Sequence, residues 1–234
     1  MQDKYVADVG DFGKYGLLSA LCDGRPQLRL GVVWCFVRDR MLEYLEKPQD
    51  FRPCNLALFD KLKAIVDKCQ RTIRAVQKGD ILPSGTEFFC DPLPGSRGRR
   101  QWLEKAREKM KGCDVVFFDP DNGLSARPTG APGPRHIGIG EIREFLDGGD
   151  GRQSLIVYHQ LGRQGIHPDQ ITRRASELAK GLRRPRGVFA LHYNRGTARA
   201  FFVLPADEHA QTLRQRAGAM VKGPWGAHFK LCPP

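Results

Sequence analysis

The chain has 234 residues, of which 41% are hydrophobic and 27% charged. These values are ordinary for a globular protein and within the reach of one hydrophobic core, so a single α/β domain spanning 1–234 is expected. No stretch approaches the roughly 18 apolar residues of a membrane span, and Met1-Gln2-Asp3-Lys4-Tyr5 opens no leader peptide, which leads to the expectation of a soluble, cytoplasmic protein with no membrane partner. A net charge of +12 favours polyanionic partners, nucleic acid first; the alternative is arginine that merely solvates helix faces.

The first informative segment is Asp8-Val9-Gly10-Asp11-Phe12-Gly13-Lys14-Tyr15-Gly16, which leads into a helix predicted over Phe12 to Leu21. Asp11 is positioned to cap that helix, Gly13 and Gly16 to admit a ligand or another backbone, and Lys14 to meet an anion at the helix N-terminus. A capped amphipathic helix with small residues for packing explains the same pattern. Next come a strand over Leu30 to Val37, a helix over Leu56 to Lys68, a strand over Glu87 to Cys90 and a helix over Arg97 to Lys111. This last helix opens with Arg97, Arg99 and Arg100, one of two basic clusters that suit phosphate contacts.

The run Val115-Val116-Phe117-Phe118 leaves no polar face, as expected of a central parallel strand covered by helices on both sides. It ends in Asp119-Pro120-Asp121-Asn122-Gly123, at the carboxyl edge where open α/β sheets bind ligands. Two carboxylates at i and i+2 offer acceptors for a metal, an amino group or a proton; an Asp-Pro turn followed by an Asn-Gly turn is the structural alternative. The Pro- and Gly-rich stretch over 125–139 is expected to be a mobile lid or binding loop, or else an inert surface insertion. A helix over Gly140 to Leu146 follows, then the apolar strand Ser154 to His159, whose polar end His159-Gln160 is expected to share the pocket of Asp119 and Asp121. The second basic cluster, Arg173, Arg174, Arg183, Arg184 and Arg186, overlaps a helix over Pro168 to Leu182. Strands over Gly187 to Tyr193 and Ala198 to Leu204 are separated only by Asn194-Arg195-Gly196-Thr197, which demands an antiparallel hairpin. A helix over Ala206 to Ala219 and a weaker strand over Ala227 to Leu231 complete the chain. The seven cysteines show no C-x-x-C pair and are expected to be buried free thiols; the histidines form no metal-ligand spacing.

The order strand, Asp119-Pro120-Asp121-Asn122, helix, strand ending at His159, helix and antiparallel hairpin resembles the second half of Rossmann-like S-adenosylmethionine-dependent methyltransferases of the amino-methylating type. The resemblance implies a three-layer, mostly parallel sheet with an antiparallel C-terminal hairpin. It implies Asp119 as the residue that holds a target amine, with Asp121 and His159 beside it. It also implies S-adenosylmethionine as cofactor, bound near Asp11, Gly13, Lys14, Tyr15 and Asn122. Asp121 and Asn122 stand where that class has a proline and an aromatic. The first strand carries only Gly31, inside the strand, in place of a glycine-rich loop. Two further readings stay open: a phosphoesterase or nuclease using Mg2+, Asp119 as nucleophile and Asp121 as acid/base, and a non-catalytic nucleic-acid-binding component of a bacterial assembly.

Overall fold

The computed structural model describes residues 7–34, 43–68, 72–95, 97–125, 133, 135–149, 151–163, 165–182 and 187–232. The helices are α1 (Val9–Cys22), α2 (Pro48–Phe51), α3 (Leu56–Asp67), α4 (Ile73–Lys78), α5 (Arg99–Lys109), α6 (Ile139–Asp147), α7 (His167–Gly181) and α8 (Asp207–Lys222). The strands are β1 (Leu30–Trp34), β2 (Glu87–Phe89), β3 (Val115–Asp119), β4 (Gly123–Leu124), β5 (His136–Ile137), β6 (Ser154–Gln160), β7 (Phe189–Tyr193), β8 (Arg199–Leu204) and β9 (Phe229–Cys232).

Seven strands form one sheet in the order β2-β1-β3-β6-β8-β7-β9. β1, β2, β3 and β6 run parallel, β8 opposes β6, β7 opposes β8, and β9 opposes β7, so five of the seven share one direction. This is a three-layer Rossmann-like α/β fold with the expected antiparallel C-terminal hairpin, β7 to β8. Helices α1, α3, α4 and α8 cover one face through Phe12, Leu62, Val76 and Leu213; α5, α6 and α7 cover the other through Leu103, Phe145 and Leu178. Burial on both sides explains why β3 and β6 are apolar at almost every position.

Helix α1 is nearly enclosed, and its glycines are packing positions. A Cβ on Gly13 would sit 2.6 Å from the Tyr193 ring, and one on Gly16 would sit 2.2 Å from the Trp225 ring. Phe12 stacks on Tyr44 at 5.4 Å and lies 4.9 Å from Trp225. The ligand-admitting role expected of Gly13 and Gly16 is thus replaced by aromatic rings seated on the helix. Gly31 likewise makes room in the core, where an added Cβ would meet Met110 Sδ at 2.4 Å.

Three differences from expectation concern local elements. Helices α2 and α4 were missed because four and six residues are too few to show a helical period. β5 lies inside the stretch expected to be loop and pairs with β4 just before it; positions 126–132 and 134 of that stretch lie outside the described residues, as do 35–37 of the first strand and Arg183, Arg184 and Arg186. Among the described cysteines, all free, Cys22 and Cys113 are buried, Cys54 and Cys232 are partly covered, and Cys90 is exposed. No helix among the described residues is long and apolar enough to cross a membrane.

Candidate functional site

The strand order changes direction at β1, with β2 on one side and β3 on the other. The carboxyl ends of β1 and β3 therefore flank the topological switch point, where open sheets bind ligands. Trp34 and Asp119 are register partners there, and both face α1. The cap of α1 is Asp8, not Asp11: the Asp8 carboxylate accepts from the Asp11 amide at 2.7 Å. This frees Asp11, in the first turn, to accept from Lys14 Nζ at 2.7 Å and from Tyr15 Oη and the Ala7 amide at 2.8 and 3.0 Å. Lys14 also donates to Asp119 Oδ2 at 3.0 Å, and its ammonium lies 5.6 Å from the ring centres of Tyr15 and Trp34. The anion expected at Lys14 is thus supplied by the protein's own carboxylates.

Arg199 Nη2 stands 3.7 Å from Asp8 Oδ2 and lies along Gly10, whose missing side chain makes the space. Asp8, Asp11, Asp119, Lys14 and Arg199 are all buried. Burial penalises the charged form of each of these groups unless it is paired and hydrogen-bonded. Burial pushes Asp11 up to about 6 despite Lys14, with Asp8 and Asp119 adding repulsion. Asp8 is raised by burial as well, against the pull of Arg199. Lys14 moves upward because Asp11 and Asp119 outweigh its own desolvation, and Tyr15 is held firmly as a neutral phenol. Trp34 Nε1 is a buried donor with no hydrogen-bond partner among the described residues.

His159 ends the adjacent strand but faces away. Along β6, Leu155, Val157 and His159 alternate toward the α5–α7 side, His159 meeting Phe202, while Ile156 and Tyr158 face α1. The expected common pocket of Asp119 and His159 is therefore divided by the sheet. His159 Nδ1 accepts from the Leu124 amide at 3.1 Å, which leaves the ring proton on Nε2. It lines a cavity of about 720 Å³ together with Asn122, Gln160, Arg163, Arg173 and Arg174. Asp121 has Arg135 Nη1 3.7 Å away.

The basic residues also divide. Arg99 turns inward, forking onto Glu141 and donating to the His136 carbonyl at 2.8 Å, so it fastens α5 to α6 instead of facing a phosphate. Arg97 and Arg100 are exposed, Arg100 near Glu104 and Glu144. Arg173 is exposed, and Arg174 is mostly covered. The sequence reading missed Trp34, Arg163 and Arg199; only Arg199 carried a signal, as a charge adjoining the apolar run Ala200-Phe201-Phe202-Val203.

Burial and the nearby Arg174, His136 and Arg173 depress His159 to about 4 from an ordinary 6.5. Between those values the unfolded chain binds more protons than the folded one, so this group's contribution to stability falls as pH drops from about 6.5 to about 4. Asp11 acts in the opposite sense between 3.8 and about 6, so the difference between two proteins is the useful quantity. Across that window, wild type should lose on the order of 3 kcal/mol relative to His159→Gln, read from urea midpoints. A pH-independent difference would refute a buried neutral imidazole.

No family model and no curated protein matches the chain. Among solved structures it is similar to the SAM-dependent methyltransferase from Agrobacterium tumefaciens, with 7% sequence identity and a TM-score of 0.42. That similarity covers 86% of this chain and 62% of the other.

Proposed function

We propose that the chain is a methyltransferase-like enzyme that uses S-adenosylmethionine and acts on an amino group of nucleic acid. The observation that carries this is the buried group of Asp11, Lys14, Trp34 and Asp119 at the switch point between β1 and β3. The strand and helix order around it, from Asp119 through α6, β6 and α7 to the β7–β8 hairpin, supports the same reading.

The chemistry of this group suits a cationic ligand with hydrogen-bond acceptors. The carboxylates of Asp11 and Asp119 complement a sulfonium, and the buried Trp34 Nε1–H, without a partner among the described residues, suits an acceptor. When bound, the cofactor supplies an electrophilic methyl group. Lys14 holds Asp119 in place by charge-assisted hydrogen bonding, and Asp119 accepts a hydrogen bond from the target amine and orients it. The net charge of +12 supplies the field that collects a polyanionic substrate. The metal-dependent hydrolytic alternative has no comparable support: among the described residues no three His, Cys, Asp or Glu side chains group as a metal set, and Asp119 is paired with Lys14.

Calorimetry with S-adenosylmethionine should show saturable binding that weakens strongly in Trp34→Phe. Labelled methyl groups should pass from the donor to DNA or RNA, with transfer lost in Asp119→Asn. A folded protein that takes up no donor at millimolar concentration would overturn the proposal.

A further inference from the structure

On the far side of the sheet from Lys14, the His159 cavity carries a charge pattern of its own. Arg163, Arg173 and Arg174 line it with His136, His159 and His167, and its other polar groups are neutral. Its described wall contains no Asp or Glu. Neither Arg163 nor Arg173 has a carboxylate partner among the described residues. Arg174 gives Nη1 to Glu177 at 2.5 Å, yet its Nε is buried with no partner. A buried charged donor without an acceptor is costly and marks a place where an acceptor belongs.

The cavity floor is fixed. Gln170 straps the loop above it by bonding the Gly162 amide at 2.9 Å and the Gly162 carbonyl at 3.0 Å. His159 is held by Leu124, so its Nε2–H is a neutral donor of set orientation on the cavity wall. Guanidinium groups and an N–H donor on one wall that carries no Asp or Glu recognise an oxyanion, and arginine forks match phosphate oxygens. A volume of about 720 Å³ exceeds a phosphate group and suits a nucleotide, with Asn122 and Gln160 placed to hydrogen-bond a base.

We infer that this cavity is a nucleotide site, in which Arg163, Arg173 and Arg174 hold the phosphate of one unit of the nucleic-acid substrate. The inference deepens the proposed function by locating substrate phosphate, and it rests on that reading only for the polymer; nucleotide binding itself needs no methyl donor.

The test is fluorescence anisotropy with a labelled single-stranded oligonucleotide at fixed salt. Arg163→Gln combined with Arg173→Gln removes two exposed side chains that the fold does not use. This pair should weaken binding about tenfold or more and reduce the salt slope by about 1 per lost phosphate contact. Arg97→Gln combined with Arg100→Gln removes the same charge elsewhere and should change affinity less than about threefold. Equal losses in the two pairs would overturn the inference, since the charge would then act only as a diffuse field. A 5′-mononucleotide should displace the oligonucleotide at far lower concentration than inorganic phosphate; equal competition would overturn the nucleotide assignment. Oligonucleotide binding that follows this pattern in a protein unable to bind S-adenosylmethionine would reject the methyltransferase reading and leave the cavity assignment standing.

Discussion

Replacing Lys14 by methionine should destabilise the protein by about 3–5 kcal/mol at pH 8, because it removes the buried ammonium that Asp11 and Asp119 share. Methionine matches the length of the lysine stem, so the loss measures charge more than volume. The pH dependence gives the sign. Asp11 already sits at about 6 with Lys14 beside it, and without that cation it rises further. A carboxyl raised in the folded state favours folding at low pH and loses that contribution as pH passes through the folded value. The Lys14→Met defect should therefore shrink steadily between pH 8 and about 4.5, as the folded protein takes up the proton that replaces the ammonium. Chemical denaturation at several pH values reads this directly. Adding Asp11→Asn and Asp119→Asn to Lys14→Met should restore much of the stability at pH 8 and flatten the profile, because the triple variant removes both carboxylates together with their shared ammonium. A small loss that does not vary with pH would mean that Asp11 and Asp119 are solvated in ways their 2% and 5% side-chain exposures contradict.

The same cluster shows what the sequence could and could not reveal. The continuous apolar runs in β3 and β6 identified central strands, and the four residues between Tyr193 and Ala198 identified a hairpin, because both signals come from local chemistry. The face on which each strand-end side chain emerges was not legible. In a half-exposed strand, polar residues mark the outer face; in Val115-Val116-Phe117-Phe118 and Leu155-Ile156-Val157-Tyr158 both faces are buried, so no alternation is written. Asp119 and His159 consequently read as partners although the sheet divides them. The capping error has another cause: Asp8 and Asp11 are equally good caps by residue type, and only the three-residue reach from the Asp8 carboxylate to the Asp11 amide decides between them. The Arg99 and Arg173 clusters read alike as basic runs. Tertiary pairing with Glu141, 42 residues away, turns Arg99 inward, whereas no carboxylate among the described residues claims Arg173. Long-range pairing of this kind has no sequence period.

Gly123→Ala should produce the second large effect, and it acts through the link between the two sides of the sheet. Gly123 closes the turn from Pro120, its amide donating to the Pro120 carbonyl at 3.2 Å, and has φ near +89°, where an L side chain is strained. A Cβ there would also lie 2.5 Å from His159 Cα and 2.5 Å from Nδ1. The first of these is backbone of β6, paired with Ala200 of β8, so it cannot swing aside as a flexible side chain would. The backbone strain alone amounts to about 1–2 kcal/mol. With the collision added, the loss should reach about 3 kcal/mol or more, in the range reserved for a few identifiable defects. Gly85→Ala separates the two contributions, since Gly85 has a comparable φ of +78° and nothing within 4 Å of an added Cβ. It should lose only the strain. The collision pushes β4 from β6 and breaks the bond from the Leu124 amide to His159, so Gly123→Ala should also weaken nucleotide binding at temperatures where it remains folded. Gly85→Ala should bind as wild type. Similar stabilities for the two variants in urea titration would show that β4 can move away from β6 at little cost, and that the His159 cavity is not held open by this turn.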